Sequence, residues 1–244
     1  MRVTRCYVPA PLAADTELTL PAGPSAHIAK VLRLRPGALV VLFNGGGGEY
    51  GAEITALGRD GVRVRIGDYR PLERESPLAV TLLQGVSRGE RMDLIVQKAT
   101  ELGVAAIVPV LTEHSVVSLE AAARARRRQR WQDIAASACE QCGRNRVPPV
   151  RDLVRLEPAC ATVATSLRLQ LVPDAADALL TAAAGAAALT LLIGPEGGLS
   201  FDEIALAERY GFHPCRLGPR ILRTETAPIA ALAALQAVSG DLRS

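Results

Sequence analysis

The stretch richest in possible chemistry is Leu191-Leu192-Ile193-Gly194-Pro195-Glu196-Gly197-Gly198-Leu199-Ser200-Phe201-Asp202-Glu203. An apolar, strand-like run ends at Ile193 in a glycine-rich loop, and Ser200 with Glu203 has the spacing of a helix capping box. Glycines at the carboxyl end of a strand let backbone N–H and C=O groups approach a ligand without a Cβ between them. A side chain at Gly197 is therefore expected to block a ligand. The spacing fits neither a P-loop nor a dinucleotide fingerprint, and an ordinary tight turn remains the plain alternative. A second polar loop runs Leu217-Gly218-Pro219-Arg220-Ile221-Leu222-Arg223-Thr224-Glu225-Thr226-Ala227-Pro228. It gathers a cation, a carboxylate and two hydroxyls; its bland reading is an Arg223–Glu225 salt bridge with Thr226 capping the next helix. A third stretch, Gln84 to Asp93, holds Arg88 and Arg91, which suit phosphates, while Lys98 and Glu101 further on suit a solvated face.

These loops need elements to hold them. Residues 1–72 read mostly as strand. Leu39–Phe43 is an apolar run, and Glu49–Leu57 and Val62–Ile66 alternate around Arg59-Asp60-Gly61, a hairpin signal. A short helix is predicted over Ser25–Leu32, and the whole predicts a small β-barrel. Pro71–Pro77 reads as a linker, dividing a domain of residues 1–72 from one of residues 73–244. Beyond it, strands at Leu78–Leu83, Val104–Val110, Leu167–Val172 and Leu189–Ile193 alternate with helices at Glu90–Leu102, Leu119–Cys142, Phe201–Tyr210 and Ile229–Val238. Gly103 and Gly143 close the first two helices. This order predicts an α/β domain with a largely parallel sheet and helices on both faces.

Composition excludes several classes. The 244 residues are 49% apolar and 22% charged, enough for a sizeable core. The best candidate run, Ala186–Ile193, falls far short of the roughly 20 residues needed to span a bilayer. Asp15, Glu17 and early prolines break any signal-peptide core. Five scattered cysteines make no disulfide framework, so a reducing cytoplasm is expected. The lone Cys139-x-x-Cys142 lacks a second ligand pair, the histidines are far apart, and no metal is expected. Aromatic residues are only 3%, too few for a base-stacking sheet. The net charge of +3 comes from residues 1–72, where nine basic residues face six acidic ones, a hint of a polyanionic partner. The run Arg124-Ala125-Arg126-Arg127-Arg128-Gln129-Arg130 resembles a nucleic-acid patch, but its arginines point around most of a helix, and a solvated face is the favoured reading.

The chain also resembles the bacterial 16S ribosomal RNA uridine N3-methyltransferases, within the SPOUT superfamily of knotted methyltransferases. The resemblance rests on Gly194–Gly198, Leu217–Ala227, His27–Leu34, Arg91-Met92, Gln97–Val104 and Glu140–Arg144, in order along nearly the whole chain. Arg88 and Cys142 depart from the residues expected there, lysine and serine. It implies a PUA-like β-barrel for RNA, followed by an α/β domain with a trefoil knot that holds S-adenosyl-L-methionine at a homodimer interface. It assigns the cofactor to Ile193, Gly194, Pro195, Glu196, Gly197, Gly198, Leu217, Gly218, Ile221, Leu222, Thr226 and Ala227. RNA contacts are expected at Arg5, His27, Arg33, Arg88 and Arg91, the substrate being 16S ribosomal RNA within an assembled small subunit. Arg223 is expected to stabilise charge on the uracil oxygens, with Glu225 orienting Arg223 or accepting the N3 proton. Two alternatives remain: the same fold acting on another ribosomal or transfer RNA position, or a non-catalytic ribosome-assembly factor.

Overall fold

The structure, a computed structural model, describes residues 3–115 and 120–243. It divides into two compact units, Met1–Glu75 with Ala136–Val147, and Ser76–Ala135 with Pro148–Ser244.

In the first unit, β1 (Thr4–Tyr7), β2 (Glu17–Thr19), β3 (Leu39–Phe43), β4 (Glu49–Gly58) and β5 (Gly61–Arg70) form one sheet in the order β1-β3-β4-β5-β2. β1 runs parallel to β3, and the other pairs are antiparallel. On β5, Val62, Val64 and Ile66 are buried while Arg63 and Arg65 are exposed, the period-two pattern of a half-buried strand. The inward residues close on Val40, Leu42, Ile54 and Ile28. The helix expected over Ser25–Leu32 starts earlier, as α1 (Ala22–Ala26), and widens into a π-helical turn, His27–Val31. It stops where Arg33 takes a left-handed φ of 51°. Ser25 ties this segment to the sheet, its hydroxyl donating to Leu20 O at 2.8 Å and accepting from Val62 N at 3.0 Å.

Arg5 on β1 corrects a sequence expectation. Its guanidinium forms an ion pair with Glu49, donates to Asn145 Oδ1 at 2.5 Å and to Arg144 O at 3.2 Å, and lies 4.9 Å from the centre of the Phe43 ring. The two paired side chains are only 9% and 5% exposed, so Arg5 is a brace within its own unit and is not available to an RNA phosphate. Removing one member of a buried pair strands the other charge.

The second unit contains β6 (Ala79–Gly85), α2 (Glu90–Glu101), β7 (Ala106–Leu111), most of α3 (Ala121–Cys142), β8 (Val154–Arg155), α4 (Leu156–Ala161), β9 (Leu167–Leu171), β10 (Asp177–Ala178), α5 (Leu179–Ala182), β11 (Ala188–Ile193), α6 (Phe201–Arg209), β12 (His213–Arg216) and α7 (Thr226–Ser239). Leu119, the expected start of the long helix, lies outside the described residues. The seven strands order as β10-β12-β9-β11-β6-β7-β8, and every pairing is parallel. All carboxyl ends therefore share one edge. Leu189 through Ile193 are all buried, as expected of a parallel strand covered on both faces. Leu83 and Leu192 pack with residues of α4 and α6, and Leu82 and Leu191, one position earlier, point to the other face. α2 lies against α7. Among the described residues, no helix is long and apolar enough to cross a membrane, and no cluster of three His, Cys, Asp or Glu side chains could hold a metal.

Arg5→Ala is expected to destabilise the protein by about 3 kcal/mol, read from the urea unfolding midpoint. A change of a few tenths would return Arg5 to the surface.

Candidate functional site

Four adjacent strands, β12, β9, β11 and β6, end on the same edge of the sheet. The segments leaving the first three enclose a cavity of about 720 Å³, with Arg91 of α2 contributing to the wall. This is the place where open α/β sheets hold ligands, and the volume suits a nucleoside-sized molecule. The capping box expected at Ser200 is present: Ser200 Oγ accepts from Glu203 N at 3.3 Å, and Glu203 Oε2 accepts from Ser200 N at 3.0 Å.

Of the residues assigned to a cofactor, Gly194, Pro195, Glu196, Gly197, Gly198, Leu217, Gly218, Ile221, Leu222 and Ala227 line the cavity. Ile193 is buried at the end of β11, and Thr226 is the first residue of α7; neither lines the wall. Both proposed catalytic residues, Arg223 and Glu225, are in the lining. The Arg223–Glu225 salt bridge suggested by the sequence is not formed. Arg223 is exposed, and the ion-pair partner of Glu225 is Arg91, with Nε 3.6 Å from Oε2. Nor does Thr226 cap the helix: Glu225 is the N-cap residue, without a side-chain cap bond. Glu225 Oε2 is covered and has no hydrogen-bond partner.

Arg91 also donates to Glu196 Oε1 at 2.9 Å, and the same oxygen accepts from the Arg88 backbone N–H at 2.8 Å. Burial pushes the Glu196 carboxyl up, but the Arg88 and Glu196 backbone N–H groups and Arg91 outweigh it, holding the carboxyl below its ordinary range. The clamp is therefore complete through the ordinary carboxylate range and is lost only as pH falls below it, through the lowered folded-state value. Arg91, expected among the RNA contacts, is thus a wall residue tied to two cavity carboxylates. Arg88 is exposed beside it, and His27 and Arg33 are exposed in the first unit. Lys98 pairs with Glu101 at 2.8 Å, the solvated-face reading.

Three contributors are not among the expected site residues, although Gln84, Ser87 and Thr224 lie in stretches singled out in the sequence. Leu171, Val172 and Pro173, following β9, form part of the wall; the parallel order alone could have placed them there. Gln84, Ser87 and Thr224 join the loops behind the cavity through hydrogen bonds. His114, after β7, packs on the glycine loop, with Nδ1 3.2 Å from Gly198 O. Burial pushes the Cys6 and Cys215 thiols up to about 12 and that of Cys160 to about 11, so none is a ready nucleophile.

Fold and cavity agree with the class that comparison assigns. Residues 74–236 match the family described as an RNA methyltransferase domain, and residues 25–67 match an RNA methyltransferase PUA domain. Ribosomal RNA small subunit methyltransferase E of Buchnera aphidicola is 34% identical over 99% of this chain and 98% of its own length. The Bacillus subtilis protein of the same name is 35% identical, covering 86% and 85%. The chain belongs to the ribosomal RNA small subunit methyltransferase E family. Among solved structures, the Neisseria gonorrhoeae methyltransferase E bound to S-adenosylmethionine is 39% identical, with a TM-score of 0.91 over 99% of this chain and 100% of that one. A Legionella pneumophila methyltransferase, also solved with this cofactor, is 40% identical, with a TM-score of 0.96 over 99% and 100%.

At Gly197 the expected obstacle to a side chain is not the first one met. A Cβ there would lie 2.8 Å from His114 Cβ and 2.9 Å from its Cγ, so a protein side chain blocks it before any ligand does. Gly197→Ala is expected to cost about 1–3 kcal/mol through overpacking. Adding His114→Gly should restore most of the thermal midpoint. If the second substitution brings no recovery, the clash lies elsewhere.

Proposed function

We propose that this protein transfers a methyl group from S-adenosyl-L-methionine to N3 of a uridine in the 16S RNA of the small ribosomal subunit. The observation that carries the reading is a nucleoside-sized cavity lined by the exposed Arg223 and by Glu225, whose covered Oε2 accepts no hydrogen bond. The lining fits the cofactor chemically. Leu171, Leu217, Ile221 and Leu222 give apolar surface for a base, and the carboxylates of Glu196 and Glu225 suit hydroxyl and ammonium groups. When bound, the cofactor supplies an electrophilic methyl on a sulfonium. The protein's own task is then alignment and charge control. Glu225 Oε2, free of hydrogen bonds, takes the proton that uridine N3 must lose. Arg223 donates to a uracil oxygen on which negative charge develops.

Other parts of the reading have their own support. A second copy of the chain would cover Phe201 and Ile221, which are 92% and 84% exposed, supporting a homodimer. The packing of the Thr224 loop against Gly194 and Gln84 is compatible with the knot implied by the family resemblance. The PUA domain supports RNA as the substrate, and a ribosomal substrate implies the cytoplasm. The assembled subunit is expected to be a better acceptor than free 16S RNA.

Mass spectrometry of nucleosides from small-subunit RNA of a deletion strain should show loss of N3-methyluridine; loss of a different methylated nucleoside instead would refute the assignment. Arg223→Ala should lower kcat and kcat/KM together by roughly 10²–10³-fold with little change in cofactor Kd, and Arg223→Lys should recover only part of the rate. Glu225→Gln should lower the single-turnover rate by about 10²–10⁴-fold. A Glu225→Gln enzyme with the wild-type single-turnover rate would remove that residue from proton transfer.

A further inference from the structure

Outside the cavity, α3 carries Arg124, Arg126, Arg127, Arg128 and Arg130 in two turns, with no acidic residue in its first turn. Two are neutralised: Arg128 pairs with Asp152 at 3.4 Å and Arg130 with Asp93 at 2.5 Å. Among the described residues, Arg124, Arg126 and Arg127 pair with no carboxylate. Arg124 Nε and Arg127 Nη1 are covered and find no acceptor.

Arg126, Arg128 and Arg130 are exposed, whereas Arg124 and Arg127 are half-buried. At 3.6 residues per turn, Arg124 and Arg127 lie on the side of α3 that, further along, buries Trp131 and Ala135. The inward stripe of the helix thus becomes cationic at its amino-terminal half. Three like charges within four residues repel one another, and an anion would relieve them. Asp93, the partner of Arg130, is two residues beyond Arg91 in α2, and Arg91 is in the cavity wall. At Arg130, α3 is thus joined to the helix that carries a wall residue, and Arg127 lies about one turn before that contact.

We propose that the amino-terminal half of α3 is a second RNA contact surface, where Arg124, Arg126 and Arg127 take backbone phosphates of nucleotides flanking the one held in the cavity. The proposal rests on the RNA substrate proposed above and places part of RNA recognition on the methyltransferase unit itself. Guanidinium groups suit phosphate oxygens through two-point hydrogen bonding.

The test replaces all three residues together, Arg124→Gln, Arg126→Gln and Arg127→Gln, keeping good helix formers. Binding to protein-free 16S RNA and to purified small subunits is measured across salt concentrations. Affinity for both should fall at least about tenfold at low salt, and the slope of log K against log salt should shrink by about 2, on the order of 0.7 for each phosphate no longer neutralised. Cofactor Kd, thermal midpoint and kcat at saturating RNA should be unchanged. An unchanged slope would overturn the proposal and return the helix to a solvated face. A weakening confined to intact subunits would overturn it too, assigning the helix to an acidic protein partner. If the wild type methylates small-subunit RNA and the variant behaves identically, only this surface fails. A wild type that transfers no methyl to that RNA removes the function and the surface together.

Discussion

The Thr224 hydroxyl donates to Gly194 O at 3.0 Å and lies 3.0 Å from Ser87 Oγ, while the Gln84 amide reaches Thr224 Oγ1 at 3.4 Å and Gly194 O at 3.3 Å. Each hydroxyl has one proton. With that of Thr224 given to Gly194, Ser87 must donate to Thr224. All three side chains are buried, so removing one leaves groups without water to replace the missing partner, at a cost of about 1–3 kcal/mol. Three segments far apart in sequence meet here, from β6, β11 and β12. The cavity walls keep their spacing because this cluster fixes the segments behind them.

In front of the cluster, Arg91 is shared by two carboxylates on different loops. It bonds Glu196 directly and stands 3.6 Å from Glu225, close enough for charge attraction but beyond a hydrogen bond. That asymmetry separates two otherwise similar residues. Glu196 has its oxygen occupied by Arg91 and the Arg88 N–H, and so serves as a fixed post. Glu225 keeps a buried oxygen unbonded, the condition for a group that exchanges a proton or grips a ligand donor.

Much of the fold is legible in residue patterns, and the failures have physical causes. The β4–β5 hairpin, α2 with Gly103 at a φ of 77°, and the capping box of α6 are set by neighbours in sequence, and the structure keeps them. Strands β8 and β10 are two residues long and hold their pairing through the sheet, so no local pattern announces them. Residue type alone makes Arg5 look exposed; its burial depends on Glu49, a partner 44 positions away. The exchange of Arg223 for Arg91 as the partner of Glu225 is of the same kind. Sequence proximity suggests one cation, and the folded chain brings another from α2.

The glycines give the sharpest case. A Cβ on Gly85 would lie 2.6 Å from Pro195 N, and one on Gly194 2.8 Å from the Gly198 carbonyl carbon, while Gly197 abuts His114. Gly198 and Gly218 have open space around them, but both hold a φ of 72°, which L-residues rarely adopt. Each of these five positions thus requires glycine before any ligand is considered: three because loops press together, two because the backbone turns left-handed. A glycine-rich loop is a record of how closely the chain packs on itself. Its link to ligands is indirect, since loops packed this tightly at the carboxyl ends of parallel strands present backbone groups in fixed positions. A transfer reaction that depends on alignment needs such a wall more than it needs many reactive side chains.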